Sequence, residues 1–91
     1  MQTLDTWQLY IIECENGTLY TGITNNMIRR FQQHTLGQGA KYFRRSKPKQ
    51  LVYQEFGFSR SEASKREVAI KRLTRQQKLR LITDFTIEVG K

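Results

Sequence analysis

The chain is poor in most of what marks a secreted or membrane protein. It has one cysteine, Cys14, so no internal disulfide can close and no cysteine-rich zinc site can assemble. A reducing cytoplasm is the expected setting. Its longest apolar neighbourhoods, "LYII" and "LITDF", are too short to span a bilayer, and no basic segment leads into an apolar run as in a signal peptide. A membrane role is not expected. The one proline, Pro48, sits in the polar run "RRSKPKQ", and no repeat or low-complexity segment interrupts the chain, so this run reads as a loop and not as a linker. Acidic residues are scarce too. Eight Asp and Glu stand against sixteen Lys and Arg, and the resulting +8 favours a polyanionic partner such as nucleic acid. Ninety-one residues suffice for one domain, 1–91, with a core over about 7–82 and a tail at 83–91.

What is present divides by punctuation. "WQLYIIEC" and "TLYTGI" flank the turn signal "ENG", which predicts an antiparallel hairpin over 7–14 and 18–23. Asn25 or Asn26 then caps a helix in which Met27, Ile28, Phe31 and Thr35 share a stripe, and Gly37 ends it. After a basic loop, "QLVYQEF" reads as a third strand. Ser59 with Glu62 forms a capping box for a helix to about Arg72, and Thr74 with Gln77 opens a last helix ending near Ile82. In the tail, Phe85, Ile87 and Val89 alternate as in a strand, at a terminus that could equally fray. The predicted order is ββαβαα, an α+β domain with helices on a small three-stranded antiparallel sheet.

The hairpin carries Tyr10 and Tyr20, and its register decides whether they meet. A two-residue turn at Asn16-Gly17 sends them to opposite faces. A three-residue turn with Gly17 in the left-handed bulge position sets Tyr10 opposite Gly22 and Tyr20 opposite Ile12, on one face. Gly22 would then leave room beside Tyr10 for a substrate backbone or water. Packing alone would also account for both rings. In the next helix Arg30 and His34 are four apart and border the apolar stripe, where they could lean into a cleft or simply be solvated. Glu67 similarly flanks the stripe of Ala63, Ile70 and Leu73, among lysines and arginines that could hold it in a helix salt bridge. Lys41, Arg44, Arg45, Lys47 and Lys49, with Tyr42 and Phe43 interleaved, form a strip able to neutralise phosphates while a ring stacks on a base.

"QLYII" with "LYTGIT", then "RRFQQH", "GQGAKYFRR", "LVYQEF" and "SRSEASKREVAIKRLT", resembles the GIY-YIG endonuclease superfamily, and most closely its small stand-alone bacterial YhbQ-like subgroup, over about residues 7–82. The resemblance implies metal-dependent hydrolysis of a nucleic-acid phosphodiester, with DNA ahead of RNA as substrate. By position it implies catalytic roles for Tyr10, Tyr20, Arg30 and His34, a metal role for Glu67, one Mg²⁺ or Mn²⁺ as cofactor, and nucleic-acid contacts from Lys41, Tyr42, Arg44, Arg45 and Lys47. It also favours the bulged turn, because the two tyrosines must converge.

The residue types suit that chemistry. Phosphodiester hydrolysis needs an activated water, in-line geometry and neutralisation of charge building on the phosphoryl oxygens. A phenol is a poor base at its reference pKa of about 10 unless cationic groups assist it, and Arg30 supplies a permanently charged fork for phosphate. Tyr20 is assigned as the base, Tyr10 as its partner orienting water or phosphate, and His34 as a proton relay or phosphate ligand. Two departures stand out: Gln8 replaces the glycine of the first motif, and Thr21 an aliphatic residue of the second. Neither removes a proposed reactive group. A nucleic-acid-binding module that keeps the fold without turnover is the alternative.

Overall fold

A computed structural model describes residues 6–37 and 46–89, with side chains described to residue 86. Two strands, β1 (Trp7–Cys14) and β2 (Leu19–Thr24), are followed by helix α1 (Met27–Thr35), strand β3 (Pro48–Phe58) and helices α2 (Arg60–Lys71) and α3 (Arg75–Val89). The sheet is antiparallel in the order β2-β1-β3, which makes β1 the central strand. Its residues explain that position. Leu9 to Ile12 are wholly buried, as expected of a β-branched and aromatic run covered on both faces.

The alternation of β1 splits the core in two. Leu9 and Ile11 face α2 and α3 and pack with Tyr53, Ile70, Leu81, Ile82 and Phe85. Tyr10, Ile12 and Cys14 face the other way, toward Tyr20, Met27, Phe31 and Leu51. The turn between β1 and β2 is the three-residue form. Gly17 has φ +84°, and its N–H donates to the Cys14 carbonyl at 2.9 Å. Tyr10 is therefore opposite Gly22, and Tyr20 opposite Ile12.

Helix ends follow the predicted caps. Asn26 Oδ1 accepts from the Arg29 N–H at 3.1 Å, and Gly37, at φ +75°, follows the end of α1. Ser59 and Glu62 complete their reciprocal box, as do Thr74 and Gln77. Each cap satisfies N–H groups that a helix start leaves without partners.

Three expectations need correction. The inward stripe of α1 is Met27, Arg30, Phe31 and His34, while Ile28 is 77% exposed. Spacing of three and four residues permits this face equally well, and its two polar members are held there by the sheet beneath. β3 is longer than "QLVYQEF" at both ends, running from Pro48 to Phe58 with register shifts that accommodate its extra length. The tail is helical. α3 continues past Ile82 to Val89 because Leu81, Ile82 and Phe85 lie on one helical face against the sheet, where the Phe85 ring meets Tyr53 edge-on at 5.4 Å.

Candidate active site

The α1-side face of the hairpin gathers the predicted residues from three segments. Tyr10 from β1, Tyr20 from β2 and His34 from α1 form a triangle of rings. Centroid separations are 6.2 Å between the tyrosines, 6.0 Å from Tyr10 to His34 and 5.5 Å from Tyr20 to His34. The Tyr10 hydroxyl and His34 Nε2 are hydrogen-bonded at 2.9 Å, a contact spanning 24 residues of sequence. With the ring proton on Nδ1, Tyr10 donates and Nε2 accepts.

Gly22 does not open a space for substrate. The Tyr10 ring fills the place where a side chain would stand: a Cβ built on Gly22 would lie 2.5 Å from the phenolic oxygen and 2.6 Å from Cζ. The bare backbone of β2 is the floor on which Tyr10 lies.

Burial sets the protonation states. Tyr10 has no exposed surface, and burial pushes its phenol up to about 12, with Tyr20 and Glu67 adding to the rise and Arg30 opposing it. His34 is 1% exposed. Burial, then the Arg30 charge, brings its imidazole down to about 4, so it is neutral at pH 7. A neutral imidazole is no cationic phosphate ligand. As a phosphate ligand His34 would therefore offer an N–H and no positive charge.

Arg30 lies half-buried against this cluster. Its Nη1 donates to Gln33 Oε1 at 3.2 Å, while Nε is buried without a hydrogen-bond partner among the described residues. A desolvated, unsatisfied guanidinium donor costs free energy that an anionic oxygen would recover. Glu67, on α2, acts on the group through its charge, which adds to the rise of the Tyr10 phenol. Its side chain is 23% exposed and pairs with Lys71 Nζ at 3.2 Å, the helix salt bridge its neighbours suggested.

Among the described residues no group of three or more His, Cys, Asp or Glu gathers as a metal cage. One partly buried carboxylate still fits a hard divalent cation of the Mg²⁺ kind, which keeps most of its waters and takes further oxygens from substrate phosphate. It does not fit a structural zinc site, which needs four protein ligands. Of the basic strip, Lys41, Tyr42, Arg44 and Arg45 lie outside the described residues. Lys47 is exposed just before β3, and its carbonyl accepts from the Glu15 N–H at 3.0 Å.

Two groupings escaped the sequence. On the α2 face Arg66 grips Glu55 through Nε at 2.8 Å and Nη2 at 2.9 Å, and the Tyr53 hydroxyl donates to the same carboxylate. Burial alone would raise the Glu55 carboxyl, but those donors hold it below its usual range. Alternation on β3 placed Tyr53 beside Glu55, but Arg66 comes from another element. Near Tyr10, Gln54 Nε2 donates to Gln8 Oε1 at 2.9 Å. The residue that replaces the motif glycine is thus anchored across β1 and β3, two positions from Tyr10 on the same face, which strand period alone could have indicated.

Residues 6–80 match the GIY-YIG catalytic domain. A UPF0213 protein of Staphylococcus saprophyticus is 47% identical over 81 residues, covering 89% of this chain and 99% of that protein. A UPF0213 protein of Staphylococcus aureus is 48% identical with the same coverage. The solution structure of a UPF0213 protein from Bacillus halodurans is 39% identical, with TM-score 0.54 over 85% of this chain and 82% of that one. A solution structure of an E. faecalis protein is 36% identical, with TM-score 0.58 over 91% and 90%. No helix among the described residues is long and apolar enough to cross a membrane. With a ββαβαα fold, paired tyrosines on one sheet face and this match over most of its length, the chain belongs to the GIY-YIG catalytic-domain family, in its small stand-alone UPF0213 branch.

Proposed function

We propose that the chain is a metal-dependent endonuclease that hydrolyses nucleic-acid phosphodiester bonds, with DNA as substrate. The observation that carries this reading is the packed triangle of Tyr10, Tyr20 and His34 beside the buried, unsatisfied Nε of Arg30. A core needs no such donor, and an incoming phosphate oxygen satisfies it.

Each side chain has a task set by its burial. Arg30 receives a non-bridging oxygen of the scissile phosphate and neutralises charge that grows during attack. Tyr20, half-exposed at the edge of the cluster, accepts the proton of the attacking water as a phenolate, having first released its own proton to solvent. Tyr10 is too deeply buried to touch substrate. It is a positioning residue, fixing the His34 ring through their hydrogen bond, and His34 in turn packs edge-on against Tyr20. Glu67 would hold the cation. When bound, a divalent cation supplies Lewis-acid stabilisation of the phosphoryl and leaving oxygens.

The test is incubation of purified protein with labelled duplex, single-stranded and branched DNA, and with RNA, with and without Mg²⁺ or Mn²⁺. Metal-dependent cuts that fall roughly 100-fold or more in Glu67→Gln, at unchanged melting temperature, are expected. The second reading, a binding module without turnover, draws on the Lys71–Glu67 pair, which occupies the carboxylate. Binding without metal-dependent cuts on any of those substrates would establish it instead.

A further inference from the structure

Beside the tyrosine cluster lies a groove of about 300 Å³ that the proposed chemistry touches only through Arg30. Trp7 at the start of β1, Thr24, Asn25 and Asn26 at the β2–α1 junction, and Arg29 and Arg30 in the first turn of α1 contribute to its wall. Arg30 is shared with the cluster, so groove and cluster are continuous.

The lining has a consistent chemical sense. Two guanidinium groups and the three amides of Asn25, Asn26 and Gln33 meet there, and among the described residues no carboxylate lines it. The first turn of α1 carries no acidic residue, which leaves the positive end of that helix uncompensated on the same side. Trp7 adds a flat apolar surface, one face of whose ring is covered by the Arg60 guanidinium at 5.3 Å from its centroid, so a base would stack on the other face. A planar aromatic ring next to guanidinium groups and a helix N-terminus suits a ligand with a flat heterocycle at one end and a phosphate at the other. The volume lies at the lower end for small-ligand clefts and accommodates one nucleotide.

We infer that this groove holds the nucleotide next to the scissile phosphate in a single-stranded segment, its base stacked on Trp7 and its phosphate held by Arg29. The inference rests on the nucleic-acid reading above and extends it to a subsite. A single strand is required because only an unstacked base offers its face to the indole. Stacking of this kind tolerates any base, so the groove confers a preference for strand form and not for sequence.

Trp7 is the only tryptophan, so its emission reports the groove directly. Titration with short oligothymidylate in EDTA, where no turnover occurs, should quench that emission saturably. Binding is read in parallel from the polarisation of an end label. Trp7→Leu should weaken binding roughly 5- to 150-fold, the value of one base–aromatic stack. Arg29 is exposed, so Arg29→Gln should fold normally, weaken binding and lower the slope of log affinity against log salt by about 0.7. Polarisation that rises without any change in Trp7 emission would overturn the inference, as would an unchanged salt slope in Arg29→Gln or no binding at all. Should Trp7→Leu fail to fold, Arg29→Gln and the wild-type quench decide the matter. Quenching without cleavage in parallel metal-containing reactions leaves the groove standing and removes the nuclease reading. Cleavage without quenching does the reverse.

Discussion

Replacing Gly22 with alanine would press a methyl group into the Tyr10 ring. The new carbon would begin 2.6 Å from Cζ, and ordinary contact begins at 3.4 Å, so the ring would have to retreat by about 0.8 Å. The ring has no exposed surface and is bounded by Tyr20 and His34, so the retreat meets packed side chains. The hydroxyl sits 2.9 Å from His34 Nε2, and a shift of that size, toward the imidazole or away from it, spoils the geometry of that contact. Overpacking together with one lost buried hydrogen bond should cost about 2–4 kcal/mol. For a domain of this size that lowers the melting temperature by roughly 8 °C or more. The assay is thermal denaturation, paired with an NMR titration of the imidazole, whose pKa should climb as its pocket loosens. In a Tyr10→Leu background the obstructing ring is absent, so the same alanine should cost far less, and the two changes should fail to add. A loss below about 0.5 kcal/mol with an unmoved His34 titration would mean that the Tyr10 ring does not rest on Gly22.

His34 is the only histidine, and its ring should titrate near 4 in the folded protein. Because an unfolded imidazole takes its proton near 6.5, the unfolded chain binds more protons between those values, and stability should fall by up to about 3 kcal/mol as pH drops from 6.5 to 4. A folded midpoint near 6.5 contradicts the buried assignment. Tyr10 works at the other extreme: its folded phenol keeps the proton to about 12, so stability should be lost as pH rises from 10 toward 12. Ultraviolet titration of tyrosinate against the Tyr10→Phe variant checks this. Gly17→Ala should cost about 1 kcal/mol, because the bulged turn requires φ +84° at that residue. Unchanged stability to denaturant would argue for a different turn and a different tyrosine register.

Much of this arrangement is written locally. The caps at Asn26, at Ser59 with Glu62 and at Thr74 with Gln77 depend on residues within one turn, and the spacing of side chains alone reveals them. What the residues left open is long-range. Two turn geometries suited "ENG", and the family resemblance, not the turn chemistry, favoured the one that brings the tyrosines together. Ile28 and His34 exchange the places that apolarity suggests: Ile28 faces solvent, while His34 is inward because a phenol 24 residues earlier offers it a partner. The alternation of Phe85, Ile87 and Val89 imitates a strand. Only the exposed flank of β3, created by the folded sheet, makes a continued helix favourable there. Gly22 looked like an opening for substrate, and the ring that occupies it comes from the strand opposite.

In the proposed mechanism Tyr20, Arg30, His34 and Glu67 serve one cation and one phosphate. Mn²⁺ titrated into isotope-labelled protein with an uncleavable phosphorothioate oligonucleotide gives the most direct reading, because paramagnetic broadening falls steeply with distance. Tyr20 and His34 ring signals should broaden first, and Glu67→Gln should abolish the effect. Broadening centred on Asp84 or another remote carboxylate, or broadening that survives Glu67→Gln, would contradict that mechanism.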